Sequence, residues 1–349
     1  MKTAVLVCPG RGAYDKTELG YLRQYFPDPI LLAEFDAARI SAGQDPVTEL
    51  DGAARFSAFR FGRGDNESAL IYAATLGDFL SINQSRIEIV AVTGNSMGWY
   101  SALSCAGAMT PLAGFELANT MGTLMEEALI GGQLIYPFVG ADWRPNPAMK
   151  AKLLARVSEI NARPHHTLAL SIDLGGTLVL AGNEAGLRSF ENAVPKAQGR
   201  FPMRMENHAA FHTALQSRVA ERCRARIGLE RFGHPRLPLI DGRGVIWWPG
   251  SSDARCLRDY TLGYQVTRSY DFTRAVTIAA REFTPDIFIV TGPGTNLGGA
   301  VAQSLILANW RGMADRAGFQ DLQARAPVLV SMGLKTQRSG VTTEERKPP

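Results

Sequence analysis

The chain has 349 residues, 46% of them apolar and 20% charged, with a net charge of +4. Such a balance excludes a disordered polyelectrolyte, and so mild a positive charge does not point to a nucleic-acid partner. The length allows one large domain with an insertion, or two domains.

Met1 to Val7 runs directly into a strand with no apolar signal segment and no cleavage site. No apolar run reaches the roughly 18 residues that a membrane span needs, so the expected location is the cytoplasm. Cys8, Cys105, Cys223 and Cys256 show no paired spacing and read as reduced thiols. No metal-ligand cluster is visible, and His165-His166 reads as a solvated pair in a polar loop.

Residues 4–8 form a short apolar run stopped by Pro9-Gly10-Arg11-Gly12, a buried strand followed by a glycine-rich turn. Residues 34–83 are largely of helical period, and residues 89–93 form a β run. That run meets Gly94-Asn95-Ser96-Met97-Gly98, and a small-residue helix follows at once. Strand, Gly-x-Ser-x-Gly and helix in succession make a nucleophile elbow, which lifts the Ser96 hydroxyl at a sharp turn. The helix N-terminus behind Ser96 and the Met97 N–H would help to hold an oxyanion. Residues 109–129 read as a helix capped by Thr110-Pro111.

Beyond Gly131-Gly132 the alternation is compact. Strands over 134–139, 168–173, 177–181 and 201–205 interleave with helices over 147–160 and 183–193. This βαββαβ order is that of the ferredoxin-like unit. The chain is therefore expected to be α/β, with a large α/β-hydrolase-like domain on a mostly parallel sheet and an inserted ferredoxin-like small domain. The boundaries are 1–131 and 208–333 for the large domain and 132–207 for the insert. Residues 213–227 read as an arginine-dense helix, 272–281 and 297–308 as further helices, and 238–240 and 286–290 as strands. The polar tail 334–349 is expected to be disordered.

Five motifs in order resemble the malonyl-CoA:acyl-carrier-protein transacylase family, which includes the acyltransferase domains of polyketide and fatty acid synthases. They are Pro9-Gly10-Arg11-Gly12, the elbow continuing through Trp99-Tyr100-Ser101-Ala102-Leu103, Ala209-Ala210-Phe211-His212-Thr213, a loose echo over 265–272, and Val290-Thr291-Gly292-Pro293-Gly294 with Leu297. The matching segments run from residue 4 to about residue 307. The resemblance implies an acyltransferase that moves an acyl group between a thioester and an acyl carrier protein through an acyl-serine, in fatty acid or polyketide-type biosynthesis. It implies Ser96 as nucleophile, His212 as base, the backbone N–H groups of Arg11 and Met97 as oxyanion hole, and Gln265 as the residue orienting the histidine. A serine hydroxyl needs a base within reach, and the base needs an orienting acceptor, for which a carbonyl suffices. His208 competes with His212 for the base. Acyl-CoA and acyl carrier protein are the expected partners of a monomer without nucleic acid or membrane; no cofactor is permanently bound, and the coenzyme A or phosphopantetheine thioester is substrate.

This chain also departs from the family. The arginine that grips the malonyl carboxylate is replaced by Met121, the histidine supporting it by Asn95, and the loop glutamine by Arg11. Asn95, Met121 and Arg11 are thus the expected acyl-binding residues. A thioether cannot neutralise a carboxylate, so an uncharged acyl group is expected in place of malonyl. Arg11 is either a replacement charge in the cleft or a surface or ion-paired arginine. Three other readings remain open: an editing hydrolase of acyl-carrier thioesters on the same dyad, a carrier-binding scaffold without catalysis, and a general serine esterase. The scaffold would have no reason to keep both Ser96 and His212. The esterase would need His234 as its late histidine.

Overall fold

The computed structural model describes residues 1–343. Its strands are β1 (Lys2–Cys8), β2 (Ile87–Gly94), β3 (Gly132–Pro137), β4 (Leu168–Leu174), β5 (Thr177–Gly182), β6 (Met203–Met205), β7 (Leu239–Ile240), β8 (Ile246–Trp247), β9 (Tyr270–Asp271), β10 (Ile287–Val290) and β11 (Leu329–Ser331). A six-stranded sheet runs β11-β10-β1-β2-β7-β8, and a five-stranded sheet runs β6-β3-β5-β4-β9. In the first sheet β1 lies parallel to both β2 and β10, and only the β7–β8 edge is antiparallel. Its central strand reads as a continuous apolar run because helices cover both faces; Ala4 to Cys8 are wholly buried.

The second sheet is antiparallel from β6 to β4, with helices Pro147–Asn161 and Glu184–Ala193 in its crossovers. It has its own apolar cluster around Leu134, Leu178, Leu180 and Phe190. β9 comes from after residue 208 and adds itself parallel to β4, pairing Ile172 with Tyr270. Two residues suffice for that pairing, too few to show as a strand in the sequence.

The helical stretch before the elbow breaks into helices Pro29–Ser41, Val47–Asp51, Ala58–Phe61 and Gly64–Ser81. Arg39 is fully buried, and its guanidinium donates to the carbonyls of Asp45 and Asp65 and to the amide oxygens of Asn66 and Asn119. Four acceptors satisfy a charge that burial alone would make costly, and they fix the start of helix Gly64–Ser81. Thr110 caps helix Pro111–Glu127 by accepting from Ala113 N–H.

The tail corrects the expectation of disorder over residues 334–343. Helix Lys335–Arg338 follows β11, and Arg338 is buried against Asp78. A polar composition hid this because the segment is tied down by a buried ion pair, a single buried valine, Val341, and main-chain hydrogen bonds to Ser81 and Asn83, with no periodic apolar face. The remainder of the predicted tail, residues 344–349, lies outside the described residues. Among the described residues, no helix is long and apolar enough to cross a membrane.

Candidate active site

β2 ends at Gly94, helix Gly98–Cys105 begins four residues on, and Ser96 between them has φ 55°. The tightness of this turn needs its glycines. A Cβ on Gly94 would stand 2.3 Å from the carbonyl oxygen of Gly98, and one on Gly98 would stand 2.2 Å from that of Cys8. With those side chains absent, β1 packs directly under the elbow and Ser96 is held proud of it.

Ser96 Oγ lies 2.7 Å from His212 Nε2. His212 Nδ1 lies 2.6 Å from the main-chain carbonyl oxygen of Gln265. That carbonyl can only accept, so Nδ1 carries the proton and Nε2 keeps its lone pair for the serine hydroxyl. Burial pushes His212 down to about 4, against the smaller upward pull of the Gln265 carbonyl, so the ring is neutral at pH 7. The Gln265 side chain does a second job: its Nε2 donates to the Ser96 carbonyl at 3.0 Å, and its Oε1 accepts from Tyr100 hydroxyl at 3.1 Å. Gln265 opens the short helix Gln265–Thr267, directly after a π-helical turn over Tyr260–Tyr264. Because that helix stops at Thr267, the Gln265 carbonyl is among the last ones, which lack helical partners, and is free for the imidazole.

The five-stranded sheet holds the histidine segment. Gln133 on β3 donates to Ser171 on β4 at 2.7 Å, and Ser171 hydroxyl donates to the Phe211 carbonyl at 2.8 Å. His208 Nδ1 is taken up by Gln133 Oε1 at 2.9 Å. Desolvation, with Arg11 nearby, pushes His208 down to about 3. Among the described residues His208 has no hydrogen bond to Ser96, so the structure pairs Ser96 with His212. His234 binds the Ser252 carbonyl at 2.6 Å, away from the site. Tyr270 on β9 reaches across to the elbow and donates to the Gly94 carbonyl at 2.5 Å.

Ser96 and His212 open on a narrow cavity with about 30 Å³ free for water-sized groups, lined further by Arg11, Met97, Met121, Met125 and Phe211. Met121 is 1% exposed. Asn95, expected in the acyl pocket, is not among the lining residues; its amide lies against Gly10 instead. The sharp turn separates the two side chains: Ser96, at φ 55°, lines the cavity, and Asn95, whose N–H donates to the Cys8 carbonyl, lies under the glycine loop. The N–H groups of Arg11 and Met97 have no hydrogen-bond partner among the described residues. A larger hollow sits at the opposite end of β2, lined by Met1, Ile87, Met109 and Arg236 among others, and contains neither residue of the pair.

Arg11 is no free surface charge. Its Nε lies 2.8 Å from Glu67 Oε2, its Nη2 donates to the Gly62 carbonyl at 2.8 Å, and its guanidinium stands 5.5 Å from the Phe211 ring centre. Glu67 also accepts from the Gly12 N–H at 2.5 Å. Sequence reasoning missed Glu67; its one signal was an acid in the first turn of an otherwise buried helix. The arginine-dense helix is also partly neutralised. Residues 214–216 form a separate 3-10 turn before helix Ser217–Arg226, Arg222 pairs with Glu127, and Arg231 beyond it pairs with Glu116.

No family model matches the chain. In sequence it is similar to the malonyl CoA-acyl carrier protein transacylases of Salmonella typhimurium, 24% identical over 211 residues, and Escherichia coli, 23% over 209. These matches cover 60% of this chain and 63% of the relatives' length. Among solved structures it is similar to the malonyl-CoA:acyl carrier protein transacylase of Xanthomonas oryzae, with TM-score 0.74, 17% identity and 97% of each chain covered. A malonyl-transacylase solved in complex with its type II PKS acyl-carrier protein gives TM-score 0.70 at 20% identity, covering 93% of this chain and all of that one. The chain thus shares the fold of the malonyl-CoA:acyl-carrier-protein transacylases and resembles them in sequence over about three-fifths of its length.

Proposed function

We propose that the protein is an acyltransferase that carries an acyl group from a coenzyme A or carrier-bound thioester to an acyl carrier protein through acyl-Ser96. The observation that supports this most is the pairing of Ser96 Oγ with His212 Nε2 at 2.7 Å, with the opposite ring nitrogen engaged by a main-chain carbonyl. In the reading, Ser96 Oγ attacks the thioester carbonyl carbon as its proton passes to His212 Nε2. The N–H groups of Arg11 and Met97 hold the oxyanion. The C–S bond breaks, and the leaving thiolate takes the proton from His212. The carrier's phosphopantetheine thiol then gives its proton to His212 and attacks the acyl-serine carbonyl, and Ser96 leaves with that proton. Every step draws on side chains, N–H groups and the two thiols alone, and a coenzyme A donor supports a cytoplasmic location.

Met121, buried in the cavity wall, supports an acyl group without a terminal carboxylate. A charge-assisted carboxylate contact is worth on the order of 2–3 kcal/mol, so its absence disfavours malonyl by roughly 30- to 150-fold. Intact-protein mass spectrometry after incubation with a panel of acyl-CoAs tests the whole reading. One acyl mass should appear in the wild type, none in Ser96→Ala, and addition of carrier protein with its phosphopantetheine arm should move that mass to the carrier. Loss of the mass to water at the same rate with and without carrier would make the protein a hydrolase. A mass that persists in Ser96→Ala would remove the serine from the chemistry.

A further inference from the structure

Resting on the acyl-Ser96 reading, we propose that Arg11 and Glu67 together select acyl groups that carry an uncharged oxygen beyond the thioester carbonyl, as a short 3-oxoacyl group does. The Arg11 side chain is 8% exposed and lines the cavity shared by Ser96 and His212. Two of its three nitrogens are engaged, Nε by Glu67 and Nη2 by the Gly62 carbonyl. Nη1 is buried and has no partner among the described residues. A dehydrated N–H without an acceptor is costly, and an acceptor brought by a ligand relieves that cost.

The chemistry of that acceptor follows from Glu67. Its carboxylate is 6% exposed and lies 2.8 Å from Arg11 Nε, so the pair brings no net charge to the cavity. A malonyl carboxylate would add a second anion beside one buried cation, and the low-dielectric site would leave one negative charge uncompensated. A ketone or hydroxyl oxygen accepts from Nη1 with no charge to balance. The apolar part of the wall, Met97, Met121, Met125 and Phe211, takes a carbon chain; of the polar side chains beside it, Tyr100 donates to Gln265 and Gln265 to the Ser96 carbonyl, and the Ser68 hydroxyl is an uncharged neighbour that tolerates the same neutral oxygen. The free space admits only a short group.

Three coenzyme A thioesters of nearly equal size separate the possibilities: acetoacetyl with a neutral oxygen, butyryl with none, and malonyl with a carboxylate. The readout is the second-order rate of acyl-Ser96 formation by intact-protein mass spectrometry. In the wild type acetoacetyl should react at least about 10-fold faster than butyryl and than malonyl, the scale of one hydrogen bond to a charged donor. Arg11→Met should bring the acetoacetyl-to-butyryl ratio close to one. Glu67→Gln keeps an acceptor for Gly12 N–H and removes the balancing charge, so it should raise malonyl relative to acetoacetyl by about 10-fold. That gain cannot come from misfolding. A wild-type preference for malonyl that Arg11→Met abolishes would overturn the proposal and make Arg11 a carboxylate clamp. Equal rates for acetoacetyl and butyryl in the wild type would overturn it too. Labelling by none of the three thioesters or by any other acyl-CoA would instead remove the acyl-serine reading beneath it.

Discussion

His212 is held at φ 57° with one ring nitrogen on Ser96 and the other on a carbonyl, and burial keeps it neutral. If the proposed acyl-Ser96 chemistry holds, the His212 pKa of about 4 sets the acid side: acyl-Ser96 formation should be flat from neutrality down to about pH 5 and fall through pH 4. A fall centred near 6.5 would show a solvated imidazole. His212→Ala should cost at least about a hundredfold in that rate, the usual scale of a positioned base, and His208→Ala much less. The reverse pattern would make His208 the base. The same depressed pKa has a cost in stability. Between 6.5 and about 4 the unfolded chain binds a proton at this position that the folded chain does not, so stability falls as pH falls across that window. For one such group the loss between pH 7 and pH 5 is about 2 kcal/mol. Urea unfolding at the two pH values should show His212→Gln losing less than the wild type on acidification. At this scale the sequence displays Ser96 and His212 through their neighbours, because an elbow and a histidine segment are local patterns. Gln265 orients the imidazole through its main chain, which a side-chain pattern shows only by position. Glu67 stands 56 residues from Arg11 and becomes its partner only when helix Gly64–Ser81 packs beside the glycine loop.

The elbow shows how an element can dictate its own glycines. Gly98→Ala would place a Cβ 2.2 Å from the Cys8 carbonyl oxygen, which is main chain in the centre of the sheet and has nowhere to go. The substitution should therefore lower stability by several kcal/mol, beyond the cost of ordinary overpacking, and lower acyl-Ser96 formation in whatever fraction folds. Thermal melting alongside labelling checks this; an unchanged melt would mean that β1 and the elbow leave room for a methyl group between them. Gly12, with φ +85° and nothing near its Cβ position, is a different case, since only its backbone conformation needs glycine. The long elements were legible for physical reasons. β1 and β2 are apolar runs closed by glycine, and helix Pro111–Glu127 has its cap and proline at the proper places. β8, β9 and β11 were not, since strands of two or three residues owe their pairing to neighbours and not to any period of their own. The π-helical turn before Gln265 is likewise a product of packing, with no residue signature in Tyr260–Tyr264.

Over the whole molecule, the two sheets share the site through short polar links, and the C-terminal segment closes the far side. Asp78 is fully buried in helix Gly64–Ser81, pushed up by burial and pulled back by Arg338. It bonds Arg338, accepts from Tyr21 hydroxyl at 2.8 Å and accepts from Gly292 N–H at 2.6 Å. Gly292 begins the turn after β10. Gly294 in that turn packs so closely on Ala13 that a Cβ would stand 2.4 Å from its carbonyl oxygen, and Asn296 donates to the Gly12 carbonyl at 3.0 Å. A physical chain thus runs from helix Lys335–Arg338 through Asp78 to the loop that carries Arg11. Arg338→Met leaves Asp78 buried without its cation, which should cost about 3–5 kcal/mol, whereas Asp78→Asn with Arg338→Met should recover part of that loss. Chemical denaturation of both single variants and the double variant measures the coupling. The loss should reach the site as well: in Arg338→Met the Arg11 loop loses its brace, and acyl-Ser96 formation should slow more than it does in the double variant. Additive losses in the double variant would mean that Asp78 and Arg338 act apart, and the tail would then be a covering strand of chain and no brace at all.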